Sequence, residues 1–446
     1  MAPKTRPTGM LGFTIVWLGQ VASLLGSGMT WFALTIWAWE ISGQATPLAL
    51  VAFFSFGPTV LLSPVAGALV DRWNRKLVMM LSDLAAGLMT VVVLILYSSG
   101  QLQLWHLYVT GAFAGAFQAF QFPAYSAAVT TMLPKEQYAR ANGMLALAES
   151  ASGVFAPLVA GILLGIIGMS GILVIDICSF LVAISALLAV NIPQPTPVNE
   201  DGEGKGSLWE ESLYGFQYIW QRPSLLGLQL VFLAINLTSS IGIVVLAPMI
   251  LERSGNNEVL LGSVRSIMGA GGLVGGLLLS LWGGPKRRIH GVLLGMALSS
   301  LLGDLVLGLG GGLVAWAIGA FFGAFFIPFI NGSNQAIWQA KVAPNVQGRV
   351  FATRRLIAQL SWPLATLVAG PLADHIFEPA MMPNNGLSVL FGGLVGTGPG
   401  AGMSLMFVIS GLLGMVLALA GYAVPAVRDV EDILPDYDEG FLDAGQ

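Results

Sequence analysis

The feature that most constrains this chain is the recurrence of apolar runs about 20 residues long, separated by short polar turns. A run of this length is long enough to cross the hydrocarbon core of a membrane as a helix. The apolar residues do not alternate with polar ones, so the runs predict helices and not barrel strands. We place twelve spans at about residues 11–39, 46–70, 77–98, 104–130, 139–167, 170–190, 223–250, 258–283, 289–309, 312–340, 348–374 and 402–424.

The composition excludes most other classes of protein. Of the 446 residues, 55% are apolar and only 9% are charged, which is not the composition of a soluble enzyme. The single cysteine, Cys178, excludes an intramolecular disulfide and a cysteine-rich metal site. No nucleophile–base pattern, metal-ligand spacing or ATP-binding motif appears, so we expect no enzyme activity, no cofactor, no metal and no nucleic-acid partner. Work done by this chain must then draw on an ion gradient or on the gradient of its own substrate.

The positive charges predict the orientation in the membrane. With twelve spans, both termini lie on one side, and 15 of the 19 Lys and Arg residues fall in the loops or termini of that side. The positive-inside rule makes that side the cytoplasm. The first run is too long for a cleavable signal peptide. We therefore expect a multi-pass protein of a bacterial inner (plasma) membrane.

Two related halves are indicated by identical residues at one offset. Trp73 and Trp282 are 209 positions apart, as are Arg140 and Arg349 and the two copies of Leu-Val-Ala-Gly at 158–161 and 367–370. We infer a duplication of six helices, which in transporters places a substrate path between the halves. The predicted domains are residues 1–191, a cytoplasmic linker at 192–222, residues 223–427 and an acidic cytoplasmic tail at 428–446, which we expect to be disordered.

Within the linker, four apolar residues share one helical face: Trp209, Leu213, Phe216 and Trp220. Two interpretations are equally consistent with this spacing. The segment is an amphipathic helix lying at the cytoplasmic interface, or it is an N-terminal extension of the seventh span.

A charged turn lies between the second and third runs, with the sequence Gly67-Ala-Leu-Val-Asp71-Arg72-Trp-Asn-Arg75-Lys76. It resembles the loop between helices two and three of the major facilitator superfamily. A generic topogenic basic loop is the alternative. The resemblance extends over the whole chain outside the tail and implies an all-α membrane protein with twelve transmembrane helices in two parallel six-helix repeats. It also implies a cytoplasmic gate formed by Gly67, Asp71, Arg72, Arg75 and Lys76.

We add to this gate the basic residues near the start of span eleven, Arg349, Arg354 and Arg355, as geometric partners of Asp71. Adjacent positions diverge by about 100° on a helix, so only one of Arg354 and Arg355 faces a given partner.

Four carboxylates lie within the spans and are candidates for proton coupling. An ionisable group in hydrocarbon is costly, so each must face protein or water. Glu149 is our first candidate, because it lies about 13 Å into the membrane from Arg140 at 1.5 Å per residue. Its alternative is a structural hydrogen bond. Asp83 is the second candidate, although a structural role with Arg75 or Arg140 is favoured for it. The other two, Asp176 and Asp304, are interpreted as structural, and Arg265 as a partner for a buried acid.

In span five, the segment containing Ser152, Ala156, Pro157, Ala160 and Gly161 is similar to a degenerate antiporter signature of the superfamily. Small residues let helices approach closely. By the same resemblance, spans one, four, seven and ten line the substrate path. The expected cavity residues are Trp31, Trp37, Gln118, Gln121, Tyr125, Asn236, Asn331, Asn334, Gln335 and Trp338.

Aromatic rings and neutral amides in such a path suit an amphiphilic ligand. The span-five pattern and the long outer loop resemble the bacterial macrolide-efflux branch of drug:proton antiporters. The resemblance implies a monomeric multidrug-resistance antiporter in the lipid bilayer, exporting macrolide-like or natural-product amphiphiles in exchange for protons. The alternatives are an exporter of a siderophore or other metabolite, a lipid flippase, and a membrane receptor or scaffold without transport activity.

Overall fold

The computed structural model describes residues 7–70, 73–134, 137–193, 208–343 and 346–435, and every regular element within them is helical. The elements are α1 (Gly9–Ser42), α2 (Ala45–Val70), α3 (Arg75–Ser98), α4 (Leu104–Met132), α5 (Tyr138–Ala189), α6 (Leu208–Trp220), α7 (Pro223–Ser254), α8 (Glu258–Trp282), α9 (Arg288–Ser299), α10 (Leu305–Leu309), α11 (Leu313–Phe325), α12 (Ile327–Lys341), α13 (Gln347–Leu372), α14 (Glu378–Ala380), α15 (Gly386–Val395), α16 (Ala401–Ala423), α17 (Pro425–Arg428) and α18 (Val430–Ile433). Two π-helical turns, Ser300–Asp304 and Ala373–Phe377, continue α9 into α10 and α13 into α14.

The helices match the predicted spans. In the described part of the chain, 10 segments are long and apolar enough to cross a membrane. One of them, Gly143–Ala189, contains both the fifth and the sixth predicted span. The 29-residue helix α4 corresponds to the fourth span and is less apolar, because Gln118 and Gln121 interrupt it. The chain is an all-α membrane protein, and its helices agree with twelve spans.

The chain divides into two compact units. The first comprises Met1–Glu200 together with Ser254–Ser266, and the second comprises Asp201–Arg253 together with Ile267–Gln446. The core of the first unit is built on buried apolar residues such as Phe13, Met79 and Leu187. In the second unit, Leu225 and Ile289 are among the fully buried core residues.

In the first unit, α1 packs against both arms of α5, the one before Gly168 and the one after it. Trp17 Nε1 donates to the carbonyl of Met144 at 2.8 Å, and Ser152 Oγ donates to the carbonyl of Leu24 at 3.1 Å. Residue numbers therefore rise together along α1 and the first arm, so these two segments are parallel.

The second arm of α5 runs the opposite way along α1. A Cβ on Gly19 would lie 2.8 Å from the Ala186 side chain, whereas one on Gly26 would lie 2.8 Å from the Asp176 carboxylate. The two arms are thus antiparallel, and the chain reverses at Gly168, where φ is 66° and ψ is −178°. Only glycine readily adopts this conformation.

In the second unit, α6 is a separate helix and not an extension of α7. It ends at Trp220, and α7 begins at Pro223 after a short turn. Tyr218 and Ile219 are buried in the core, whereas Phe216 and Trp220 are 42% and 75% exposed. The side chains of Trp209 and Leu213 lie outside the described residues. Of the two interpretations of this segment, the structure supports the distinct helix with an exposed apolar side.

The expectation of a disordered tail is wrong for its first residues. Glu431 in α18 accepts from the backbone N–H of Ile289 at 2.9 Å, and Arg287 Nη2 donates to Asp432 at 2.5 Å. Lys341 Nζ donates to the Glu431 carbonyl at 2.6 Å. Basic groups that are distant in sequence therefore hold the acidic segment in place as far as Leu434. A prediction from composition alone does not take such contacts into account. Residues 436–446 lie outside the described residues.

Candidate functional site

A cavity of about 590 Å³ lies inside the first unit, between α1, α2, α3, α4 and α5. Its walls carry several aromatic rings, among them Trp17, Trp31 and Phe56. The rings of Trp31 and Phe56 meet edge to face, with their centroids 5.4 Å apart. Its volume and its aromatic walls are those of a site for an organic molecule.

The charges on the cavity wall are all negative. Among the described residues, the lining includes three carboxylates, Asp83, Glu149 and Asp176, and no Lys, Arg or His. A carboxylate in a low-dielectric membrane protein is costly unless hydrogen bonds or a cation compensate it. The surroundings of each carboxylate therefore indicate what it can do.

Asp83 is held by two amides. It is 5% exposed, and Gln20 Nε2 donates to its Oδ2 at 2.8 Å, while Gln121 Nε2 donates to its Oδ1 at 3.0 Å. Gln121 Nε2 also donates to Gln20 Oε1 at 3.0 Å, which closes a three-residue ring across α1, α3 and α4. In the described part of the chain, no hydrogen bond or ion pair joins Asp83 to its expected partners, Arg75 and Arg140. Amides provide the hydrogen bonds without neutralising the charge.

Asp176 is surrounded by hydroxyl groups. It is 1% exposed and lies on the second arm of α5. Ser27 Oγ donates to its Oδ1 at 3.4 Å, and Thr90 Oγ1 donates to its Oδ2 at 3.1 Å. Ser179 Oγ donates to its backbone carbonyl at 2.7 Å. The hydroxyls join α1, α3 and α5 around one carboxylate, in agreement with the structural role expected for Asp176.

Glu149, our first candidate for proton coupling, lines the cavity from the first arm of α5 and is exposed. It makes no hydrogen bond and no ion pair with the described residues, so the structural hydrogen bond considered for it is not formed there. Arg265, expected to partner a buried acid, likewise has no carboxylate partner in the described part of the chain. Of the three cavity carboxylates, Glu149 is thus the one without a hydrogen-bond partner among the described residues.

The remaining in-span acid, Asp304, belongs to the second unit. It lies in the π-helical turn and is 6% exposed. Ser239 Oγ donates to its Oδ2 at 3.1 Å. This contact agrees with the structural role that we expect for it.

The predicted cavity residues divide between the two units. Four of them line the cavity of the first unit: Trp31, Gln118, Gln121 and Tyr125. Trp37 is buried and is not among the lining residues. Five belong to the second unit: Asn236, Asn331, Asn334, Gln335 and Trp338.

Three of those five residues already have partners within the second unit. Trp338 is fully buried in its core, and its Nε1 donates to Asn334 Oδ1 at 3.0 Å. Gln335 Oε1 accepts from Arg354 Nη2 at 2.7 Å. A role for these side chains in binding substrate remains a prediction.

The span-five segment forms a close helix contact in the first unit. A Cβ on Gly28 of α1 would lie 2.8 Å from the Ala156 side chain. A Cβ on Gly262 would lie 2.6 Å from the Pro157 carbonyl oxygen, and one on Gly161 would lie 3.0 Å from the Glu258 carbonyl oxygen. Ala160 is likewise fully buried. The small residues of this segment therefore let α1 and the start of α8 approach α5 closely.

Part of the predicted gate can be placed. Asp71 and Arg72 lie outside the described residues, and Gly67 is in the last turn of α2. Arg75 Nη1 donates to the Ala127 carbonyl at 3.0 Å, and Lys76 Nζ donates to the Val190 carbonyl at 2.7 Å. These two cations thus attach the start of α3 to neighbouring segments of the first unit.

The two basic residues proposed as gate partners differ in environment. Arg354 is half-buried, with its guanidinium 5.5 Å from the ring of Trp338 and 5.6 Å from the ring of Phe351. Its Nη1 is buried and has no hydrogen-bond partner in the part of the chain that the structure describes. Arg355 is exposed. The divergence expected for adjacent helical positions is observed.

Four cavity residues were not predicted from the sequence: Gln20, Ser27, Thr30 and Thr90. The spacing of polar residues within the apolar spans could have indicated three of them. Gln20 and Ser27 are seven positions apart on α1, and Asp83 and Thr90 are seven apart on α3. Residues seven apart share one face of a helix, so polar pairs at this spacing within apolar spans indicate a polar face.

Helices long enough to span a membrane, around a cavity with aromatic walls and three carboxylates, are an architecture typical of a membrane transporter. The family model described as Major Facilitator Superfamily matches residues 16–366. The chain belongs to this superfamily.

Two of the similar proteins are efflux proteins. The chain is 28% identical to macrolide efflux protein A of Streptococcus pyogenes over 82% of this chain and 90% of that protein. It is 27% identical to the multidrug efflux pump Tap of Mycolicibacterium fortuitum over 78% of this chain and 86% of that protein.

Among solved structures, a bacterial homolog of the human lysosomal transporter Spinster matches with a TM-score of 0.70. The two chains are 17% identical, and the match covers 97% of this chain and 100% of that one. At this identity, the likeness shows a shared fold.

Proposed function

We propose that this protein is a secondary active exporter of amphiphilic small molecules, either macrolide-like drugs or natural products. It works by alternating access and exchanges its substrate for protons. The superfamily and the efflux relatives support transport out of the cell. The observation that carries the substrate class is the cavity of the first unit, which has aromatic walls and, among the described lining residues, carboxylates as its only charged groups.

Such a cavity favours an amphiphile that carries a basic amine. Aromatic rings bind apolar surface and the faces of cations, and a carboxylate compensates one positive charge. An anionic substrate would be repelled by Asp83, Glu149 and Asp176, since no described residue of the lining is basic. This distinguishes the proposed substrates from sugar phosphates and other anions.

We assign the exchange of substrate for a proton to Glu149, with Asp83 as the second candidate. A carboxylate binds either a proton or an ammonium group, and competition between the two amounts to antiport. Glu149 has no partner among the described residues, so neither ligand must displace a hydrogen bond. Asp83 is already hydrogen-bonded by Gln20 and Gln121, so binding there must rearrange the two amides.

We further propose that Asp71 pairs with Arg354 in the outward-open state and closes the cytoplasmic side. The unpartnered Nη1 of Arg354 supports this assignment. An ion pair formed in only one of two states favours that state. The proposal includes a monomer in the bacterial inner membrane with both termini in the cytoplasm, as the positive-inside rule predicts.

Proton flux in everted membrane vesicles tests the proposal. Energised vesicles receive macrolides, cationic dyes or siderophores while a ΔpH probe reports proton release. We expect a substrate-induced leak in the wild type that Glu149→Gln abolishes. Asp304→Asn is the matched control, because it changes a buried acid of the second unit and should leave the leak intact.

Other outcomes would revise the proposal. A leak that survives in Glu149→Gln but is lost in Asp83→Asn would assign the proton exchange to Asp83 and not to Glu149. Labelled substrate that moves without any leak would refute proton antiport. Absence of movement for every cationic amphiphile would refute the exporter itself.

A further inference from the structure

The polar groups around Asp176 form a second site in the cavity, which proton exchange at Glu149 does not use. Asp176 lies eight residues after Gly168 and therefore about 12 Å along the helix from the reversal of the chain. It lines the cavity together with Ser27, Thr30 and Thr90, so an ion in the cavity reaches it directly.

Oxygen atoms from three helices converge on this point. The two carboxylate oxygens are joined by Ser27 Oγ at 3.4 Å and by Thr90 Oγ1 at 3.1 Å. Thr30 is 8% exposed and lines the same cavity as Asp176, and its buried hydroxyl oxygen has no hydrogen-bond partner in the described residues. The cavity wall that carries Asp176 therefore also carries a buried hydroxyl oxygen with unused hydrogen-bonding capacity.

The charge of the site is uncompensated. Within the part of the chain that the structure describes, the cavity lining contains no Lys, Arg or His, and its other carboxylates are Asp83 and Glu149. Three carboxylates along one cavity repel each other and attract cations. A small cation is therefore the expected ligand of the most buried of them.

The chemistry of the oxygens indicates which cation this is. Carboxylate and hydroxyl oxygens are hard ligands, which suit alkali and alkaline-earth ions and not soft transition metals. A single carboxylate balances one positive charge, whereas sites for divalent ions commonly employ more. Two carboxylate oxygens and three hydroxyls supply five ligands, and the cavity is open to water for a sixth.

We propose that Asp176, Ser27, Thr30 and Thr90 form a binding site for Na⁺. The three hydroxyls turn their lone pairs toward the ion, and the carboxylate neutralises it. Because the ligands come from α1, α3 and the second arm of α5, the bound ion holds these three helices together. Na⁺ binding at this site does not depend on which substrate is exported.

Binding of Na⁺ to the purified protein in detergent tests the site. We measure thermal unfolding in mildly alkaline buffer with NaCl, KCl or choline chloride at equal ionic strength, and ²²Na⁺ binding at equilibrium. Because a ligand stabilises the state that binds it, NaCl should raise the melting temperature saturably, and KCl and choline should not. One Na⁺ should bind per chain.

The variants separate a cation site from a structural hydrogen-bond cluster. Asp176→Asn should abolish both the Na⁺-dependent rise in melting temperature and ²²Na⁺ binding. Thr30→Val preserves the shape of a side chain whose hydroxyl makes no hydrogen bond, so it should fold and weaken Na⁺ binding about tenfold, the effect of roughly 1.4 kcal/mol. Asp304→Asn is the matched control and should leave Na⁺ binding unchanged.

Three results would overturn the proposal. Equal stabilisation by Na⁺, K⁺ and choline would show an effect of ionic strength. Retention of ²²Na⁺ binding in Asp176→Asn would place the ion elsewhere. Stabilisation by acid alone, lost in Asp176→Asn, would show a protonated carboxyl held by hydroxyls. None of these measurements requires transport, so failure of the Na⁺ site is distinguishable from failure of the exporter.

Discussion

Replacement of Gly115 by alanine should push two cavity helices apart. Gly115 lies on α4, where a Cβ would be 2.1 Å from the backbone carbonyl oxygen of Ser55 on α2. Real Cβ contacts are essentially never below 3.0 Å, so the helices must separate by nearly 1 Å. A backbone oxygen cannot rotate away as a flexible side chain can. The strain must therefore fall on the packing of α2 against α4.

The magnitude follows from three contributions. Overpacking of a filled interface costs about 1–3 kcal/mol. The separation also lengthens the hydrogen bond from Thr59 Oγ1 to the Gly115 carbonyl, now 2.7 Å, at a cost of up to about 1 kcal/mol. The helix propensity of alanine offsets about 0.5–1 kcal/mol. We expect a net destabilisation of about 1–3 kcal/mol.

The assay is thermal unfolding of purified protein, followed by tryptophan fluorescence, with Gly153→Ala as the matched control. Gly153 is an exposed helical glycine of α5, and a Cβ there meets nothing within 4 Å. The same substitution should therefore lower the melting temperature at Gly115 and leave it unchanged or slightly raised at Gly153. Equal melting temperatures for the two variants would refute the close α2–α4 contact.

Three further predictions concern the second unit. Glu378→Gln should lower the free energy of unfolding by about 1–2 kcal/mol in thermal or denaturant unfolding, because the carboxylate accepts from two backbone N–H groups at the start of α16 and an amide oxygen replaces it only in part. Trp338→Phe should cost more than its lost area alone, since Asn334 keeps a buried amide without its donor; a melting temperature equal to that of wild type would contradict this. The hydrogen bond from Arg428 holds the pKa of Asp429 below its ordinary value, so the contribution of this pair is complete above about pH 4 and lost as the pH falls through the lowered pKa. Because this pair is fully exposed, its loss should weaken the protection of α18 from protease only slightly and only below about pH 4, while the contacts of Glu431 and Asp432 remain.

The fold was predictable because the bilayer leaves few choices. A long apolar run must satisfy its own backbone hydrogen bonds, so its length and polarity alone predict a membrane-spanning helix. The spans around Gly168 illustrate this, since they were placed at 139–167 and 170–190 and the reversal of the chain occurs between them. Asp83 and Glu149 were likewise selected as candidates because ionisable groups in such runs are costly, whereas Gln121 was predicted from the family resemblance.

The partners of those residues could not be read in the same way. The amides on Asp83 come from positions 63 and 38 residues away, on other helices, and which face meets which is decided by packing. The prediction from nearby charges therefore named arginines as the partners of Asp83, whereas two glutamines donate hydrogen bonds to it. The tail was misjudged for a related reason, since Glu431 is held by a backbone N–H that lies 142 positions earlier.

The reversal of α5 at one residue has a consequence for biogenesis. No loop separates the two arms, so no polar segment between them would remain in water while the second arm is synthesised. The two arms should therefore leave the translocon and enter the lipid as one hairpin, which then packs with both arms against α1. The turn at Gly168 also offers no loop for a protease or an antibody to bind, and an epitope tag inserted there would break the hairpin.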